Sequence, residues 1–264
     1  MTTAKNGMVE LPDAKIEYFD QGEGEPVVML PGGSLNVTYM QPLADALSAA
    51  GYRAVRVNPR LAGNSTGSDE NVTLHTLAAD VAGVVRELGL GKVHILGHAF
   101  GNRVARTFAA DYPELVRTVI LLAAGGKLPP SPEAQKALQT IFNPNASDDE
   151  YLAAMHYMVG DPKDSAIAWD ALKPSRAPLA APLQAGTAKN TPLEDWWAPA
   201  GDVPYLVLQG THDQAAPPEN GELLKQDLGD RVTLIPFEGA GHLMLVTRPE
   251  AAAQAITDFL KSLQ

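Results

Sequence analysis

Val93-His94-Ile95-Leu96-Gly97-His98-Ala99-Phe100-Gly101-Asn102 is the stretch whose reading decides the fold. Val93 to Leu96 is a short apolar run that reads as a buried strand, and residues 102–110 read as a helix. The expected local structure is therefore strand, tight turn, helix. Glycines at 97 and 101 let the chain reverse within a few residues and let the two elements approach closely. They leave the middle residue in a strained, exposed conformation of the kind that presents a nucleophile. That residue is Ala99, and its methyl group cannot attack anything.

Working outward, the same alternation recurs. On the N-terminal side, Ile16 to Asp20 alternates before Gly22-Glu23-Gly24 and reads as one strand of an opening hairpin whose partner is Pro26 to Leu30. The second run is apolar throughout, as expected of a strand covered on both faces, and it ends at Pro31-Gly32-Gly33-Ser34. Tyr39 to Ala50 places Leu43, Ala46, Leu47 and Ala50 on one helical face. Arg53 to Val57 is the next strand. Thr73 is a candidate N-cap for a helix carrying Leu74, Leu77, Val81, Val84, Val85 and Leu88. Beyond the turn, a helix runs to Tyr112-Pro113 and Val116 to Ala124 is a further apolar strand.

After Gly125-Gly126 the pattern changes. Residues from about 127 to 200 are proline-rich and helical, with helices expected over Pro132–Phe142, Asp148–Val159 and Ser165–Leu172 and a last run ending at Trp196-Trp197. Val203 to Gln209 resumes the strands, Pro218 to Leu228 is helical, Val232 to Phe237 is a last strand and Pro249 to Leu263 a closing helix. Strand and helix alternation predicts an α/β fold with a mostly parallel sheet, helices on both faces and right-handed crossovers. The domain expectation is a core over 1–126 and 201–264, with 127–200 as a helical cap.

Composition bounds the function. Twenty basic against 31 acidic side chains give a formal charge of −11, which repels phosphate backbones and anionic membrane surfaces, so neither nucleic acid nor membrane is expected as a partner. The absence of cysteine excludes disulfides, thiolate metal sites and a cysteine nucleophile. The six histidines lack the His-Glu-x-x-His spacing of a zinc site, and neither a metal nor a cofactor is expected. No signal peptide or long apolar span is read, making a cytoplasmic protein, monomeric or homodimeric, the default.

Ligands of open parallel sheets bind where strands end, which singles out four loops: Pro31 to Ser34, the Ala99 turn, Gly210-Thr211-His212-Asp213 and Gly239-Ala240-Gly241-His242. In these loops the chain resembles the α/β-hydrolase family over nearly its whole length apart from the 127–200 segment. The family's chain order is nucleophile in a Gly-x-Ser-x-Gly turn, then acid, then histidine. The resemblance implies that Ala99 occupies the nucleophile position, Asp213 is the acid and His242 the base. It also implies an oxyanion hole made by the N–H groups of Gly33 and Phe100. Two residues depart from the pattern: Pro31 stands where many members have histidine, and Asn102 where a further glycine is common. Neither removes the two backbone donors.

Plainer readings stand beside these. Glycine-rich strand–turn–helix units also bind dinucleotides, but no Gly-x-Gly-x-x-Gly is present. Asp213 could be an ordinary loop aspartate. His98 reads as a packed turn residue pointing away from position 99, and His212 as structural or substrate-facing. Ser34 is a candidate for substrate binding. Met155, Met158, Tyr157, Trp196 and Trp197 are candidates to line an apolar substrate cavity or, alternatively, to fill the core of the cap.

The function implied by the resemblance is hydrolysis of a small apolar carboxylic ester or lactone. Alanine at 99 admits three accounts: a serine replaced so that a substrate is trapped, a natural non-catalytic ligand-binding protein, or an enzyme in which His242 activates water or abstracts a substrate proton. The intact acid and base loops favour the first and third.

Overall fold

The structure, a computed structural model, describes residues 5–263. Its nine strands are β1 (Lys5–Glu10), β2 (Ala14–Gln21), β3 (Pro26–Leu30), β4 (Arg53–Val57), β5 (Thr66–Gly67), β6 (Val93–His98), β7 (Val116–Leu122), β8 (Tyr205–Gly210) and β9 (Val232–Phe237). They form one sheet in the order β1-β2-β4-β3-β6-β7-β8-β9, with β5 paired to β2. From β4 to β9 the neighbours are parallel, and β1 and β2 add an antiparallel margin.

The central strands are apolar on both faces because both faces are covered. In β3, Val27 and Met29 enter one core cluster and Val28 enters the other, all without solvent exposure. The same period of two sorts Ile120 and Leu122 of β7 from Val119 and Leu121, and Leu206 and Leu208 of β8 from Tyr205 and Val207. Helices α1 (Gln41–Ala49) and α10 (Pro249–Ser262) contribute to the first cluster. Helices α2 (Leu74–Glu87), α3 (Phe100–Asp111) and α8 (Glu219–Leu228) contribute to the second. Thr73 caps α2 through a capping box with Thr76, as its position predicts.

The expected hairpin of β2 with β3 does not form. β2 pairs antiparallel with β1 and β4, whereas β3 lies between β4 and β6. Burial explains the exchange: β3 has two apolar faces to cover and goes to the interior, while β2, with exposed Lys15, belongs nearer the margin. β1 adds a strand that the sequence does not signal, because Lys5 to Glu10 is mostly exposed and lacks a clear alternation.

Between β7 and β8 there is no strand. The segment forms α4 (Pro132–Ile141), α5 (Asp148–Met155), α6 (Ser165–Leu172) and α7 (Ala180–Asn190), and a short helix α9 (Met244–Thr247) precedes α10. Ser131 and Ser147 cap α4 and α5 with their hydroxyls, and Pro132 starts α4 where its missing N–H costs nothing. The segment is tied to the rest of the chain by Ala177 N–H to Ser34 O at 2.7 Å and Leu243 N–H to Met158 O at 3.1 Å. None of the described helices is long and apolar enough to cross a membrane.

Candidate active site

The turn after β6 has the geometry that its glycines predict. Ala99 has φ 50° and ψ −111°, a left-handed backbone that alanine adopts only under constraint. Its N–H donates to Leu122 O and its own carbonyl accepts from Asn102 N–H, both at 3.0 Å. Gly101 cannot carry a side chain, since a Cβ there would lie 2.5 Å from Leu30 O and 2.7 Å from Pro31 O. The departure at Asn102 has a structural role: its amide donates to Leu122 O at 2.7 Å and Ala123 O at 2.9 Å, fastening the turn to the end of β7.

Asp213 and His242 come together from separate loops. Asp213 follows β8 and His242 follows β9, and neighbouring parallel strands deliver the two loops side by side. His242 Nδ1 lies 3.1 and 3.0 Å from the two carboxylate oxygens of Asp213, whose side chain is fully buried. Oδ1 also accepts from the N–H groups of Ala215 at 2.9 Å and Ala216 at 2.7 Å, which supply the hydrogen bonds that a buried carboxylate requires. Because Asp213 accepts the Nδ1 proton, the neutral His242 ring leaves Nε2 as its acceptor nitrogen. Gly241 lets the loop press main chain to main chain on Val159 and Gly160, so His242 is held from both sides.

His98 is not a bystander. Gly32 N–H donates to Tyr39 Oη at 2.8 Å, Tyr39 Oη lies 2.8 Å from His98 Nδ1, and His98 Nε2 lies 3.0 Å from the main-chain oxygen of His242. A carbonyl can only accept, so His98 carries its proton on Nε2 and Tyr39 donates to Nδ1. Burial, followed by the nearby His242, pushes the His98 pKa down to about 3, and burial raises that of Tyr39. The chain from Gly32 to His242 is thus made of neutral groups with matched donors and acceptors. Tyr39 lies 59 residues from His98, and no local pattern in the sequence marks their contact.

A cavity of about 350 Å³ opens between the turn and the helices of residues 132–190. Ala99, Phe100, Gly33 and His242 line it, as do Met155 and Met158. Gly33 N–H makes no hydrogen bond to another described residue, and Phe100 opens α3, where the first N–H groups have no partner within the helix. Both expected backbone donors therefore border the cavity.

Three expectations are corrected. Trp196 and Trp197 are buried away from the cavity: their rings pack against Arg106 at 4.6 and 5.0 Å, and Trp197 Nε1 donates to Asp227 at 2.6 Å. Ser34 is buried and its hydroxyl donates to Ile141 O at 3.2 Å, so it is absent from the lining. Tyr157 is exposed and does not line the cavity either. In place of these residues Phe142, Tyr151, Arg103 and Gln184 line it. Among the described residues no three His, Asp or Glu side chains are grouped to hold a metal ion.

The family model described as the alpha/beta hydrolase family matches residues 27–255. The chain belongs to the α/β-hydrolase family. Among its hydrolase relatives, the 2-(acetamidomethylene)succinate hydrolase of Mesorhizobium japonicum is 28% identical over 269 residues, covering 96% of this chain and 94% of that protein. The 2-hydroxy-6-oxo-6-phenylhexa-2,4-dienoate hydrolase of Comamonas testosteroni is 26% identical over 277 residues, covering 98% and 95%. An esterase from Exiguobacterium antarcticum superposes with a TM-score of 0.81 at 20% identity, over 99% of this chain and 100% of that one, which bears on the fold alone. The mixed, mostly parallel sheet flanked by helices is the α/β-hydrolase fold.

Proposed function

We propose that this α/β-hydrolase is built to act on a carboxylic ester or lactone, with Ala99 at the nucleophile position, Asp213 and His242 as acid and base, and Gly33 and Phe100 as oxyanion donors. In this reading residues 127–200 are a lid, and the substrate lies in the cavity beneath it. The observation that carries the proposal is that His242, held by the buried Asp213, borders the same cavity as the strained turn at Ala99.

With serine at position 99 the chemistry follows from the positions. Its hydroxyl attacks the acyl carbon, His242 Nε2 takes the proton and returns it to the leaving oxygen, and Asp213 holds the ring in the required tautomer. The N–H groups of Gly33 and Phe100 meet the developing oxyanion, an interaction worth about 3–4 kcal/mol per donor. With alanine that route is closed, and losing such a serine lowers turnover on the order of a million-fold.

A second reading is that His242 acts as a base on water or on a substrate proton. It is favoured by one observation, that His242 Nε2 makes no hydrogen bond with any described residue although Nδ1 is fully engaged. The two readings separate on two variants assayed against a panel of aryl esters and lactones. Gain of hydrolysis in Ala99→Ser supports the serine route, and no gain over the alanine form sinks it. Turnover by the chain as it stands that disappears in His242→Gln supports base chemistry.

A further inference from the structure

We propose that the ligand taken by this cavity carries its own carboxylate, bound by Arg103, with the Gln184 amide donating to the same ligand. The inference rests on the reading of the cavity as the substrate site and adds the chemical class of what enters it.

Arg103 lies one turn of α3 beyond Ala99, and it is the one permanently charged residue among those that line the cavity. Its guanidinium rests on the face of Trp196, 5.4 Å from the ring centroid. No carboxylate of the described residues comes within ion-pair distance of it. Its neighbour Arg106 is fully buried against the same indole, 4.6 Å from the centroid, and also has no acidic partner. Arg106 instead spends its donors on the carbonyls of Asn102, Trp197 and Gly125.

Two guanidinium groups therefore share one aromatic residue with no counter-charge, in a chain whose net charge is −11. Buried or half-buried cations in proteins are ordinarily paired, because an unpaired charge out of water is costly. Burial holds the pKa of both arginines below the usual arginine range, that of Arg106 at about 9, and Arg103 adds to the effect on Arg106. A ligand carboxylate at Arg103 supplies the missing charge.

Gln184 is the independent observation. Its side chain has no solvent exposure, Oε1 accepts from Ser34 N–H at 2.6 Å, and Nε2 has no hydrogen-bond partner. An amide so fixed by one end leaves a buried donor unpaired, and Gln184 is part of the cavity wall. The remaining lining is largely apolar, with Leu138, Phe142 and Leu172 among it. The expected ligand is thus an apolar body with a carbonyl end at Ala99 and an anionic group at Arg103.

The test uses the full chain with Ala99 and the pair phenylacetate and phenylacetamide, which share shape and differ in charge. Calorimetric titration is expected to show phenylacetate bound about tenfold or more tightly, as for a charge-assisted hydrogen bond. Arg103→Met is expected to abolish that preference and leave phenylacetamide affinity unchanged. Gln184→Glu keeps the acceptor for Ser34 and replaces the donor with a carboxylate oxygen, and is expected to weaken phenylacetate alone. Equal affinities in the parent chain, binding of neither compound, or a preference that survives both substitutions would overturn the proposal. Its failure is distinct from failure of the functional reading. Hydrolysis of neutral esters by Ala99→Ser without any acid preference in binding removes only the carboxylate site, and acid preference without hydrolysis removes only the serine route.

Discussion

His98 Nε2 is hydrogen-bonded to the main-chain oxygen of His242 at 3.0 Å, so one histidine positions the backbone of the other. Through Tyr39 the same support reaches Gly32, next to the oxyanion residue Gly33 in the proposed mechanism. Tyr39→Phe removes one oxygen and leaves Gly32 N–H and His98 Nδ1 buried without a partner. It is expected to destabilise the fold by about 1–3 kcal/mol per unsatisfied group. Urea unfolding measures this, and a variant within about 0.5 kcal/mol of the parent would show that the chain of hydrogen bonds carries no stability.

The depressed pKa of His98 has a pH signature. Its folded value, about 3, lies below its unfolded value, so its contribution is complete above the unfolded pKa of about 6.5 and is lost as the pH falls toward 3. His94 is shifted in the same direction, chiefly by burial. Each such histidine steepens the acid limb by up to about 1.4 kcal/mol per pH unit. Unfolding free energies between about pH 7 and about pH 4.5 should show this slope, and it should shrink in His98→Gln. A slope identical in the variant would contradict the assignment of a neutral, buried His98.

The backbone at Ala99 predicts a stabilising substitution. Glycine reaches φ 50°, ψ −111° without the steric cost paid by alanine, so Ala99→Gly should raise stability by about 1 kcal/mol in spite of its greater freedom when unfolded. A lowered melting temperature would mean that the turn is not strained.

Away from the cavity, Arg60 holds the loop after β4. Its guanidinium is bidentate on Asp80, at 2.7 and 2.9 Å, and on Asp13, at 2.9 Å to each oxygen. Asp80 is buried, so Arg60→Met strands a carboxylate out of water and should cost about 3–5 kcal/mol. Asp13 is mostly exposed, and Asp13→Asn should cost less than about 1 kcal/mol. Thermal unfolding of the two variants checks the ordering.

In the Ala99→Ser background, Asp213→Asn tests the role proposed for the acid. The substituted amide would still reach His242 Nδ1 but would favour the wrong ring tautomer, and kcat should fall about 10⁴-fold with KM little changed. An unchanged kcat would leave Asp213 a purely structural residue.

The strands that follow one another in the parallel sheet were legible because each carries its own signal: an apolar run, then a loop, then a helix with a spacing of three and four. Asp213 and His242 were legible for the same reason, since each follows such a run directly. The order at the N-terminal margin was not, because whether β2 pairs with β3 depends on which strand has two faces to cover. Tyr39 and His98 join distant parts of the chain, and Arg103 and Gln184 reach one cavity from distant parts of it; the meaning of all four lies in missing or matched partners that no local pattern records. The tryptophans misled because a large aromatic near a cavity reads the same whether it faces the space or backs the residue that does.

Arg106 also bears on how the helical segment is joined to the sheet. One guanidinium reaches Gly125 O at 2.6 Å and Trp197 O at 3.5 Å, the points where the chain leaves for those helices and where it returns. The segment is therefore a long loop whose two ends meet at one guanidinium. Closing such a loop costs only about 0.6 kcal/mol more for each doubling of its length. That junction fixes where the helices leave and return, but the floor leans on them too: Met158 O accepts from Leu243 N–H and Ser34 O accepts from Ala177 N–H, so helices grafted between 126 and 196 must rebuild those contacts to keep the His242 loop in place.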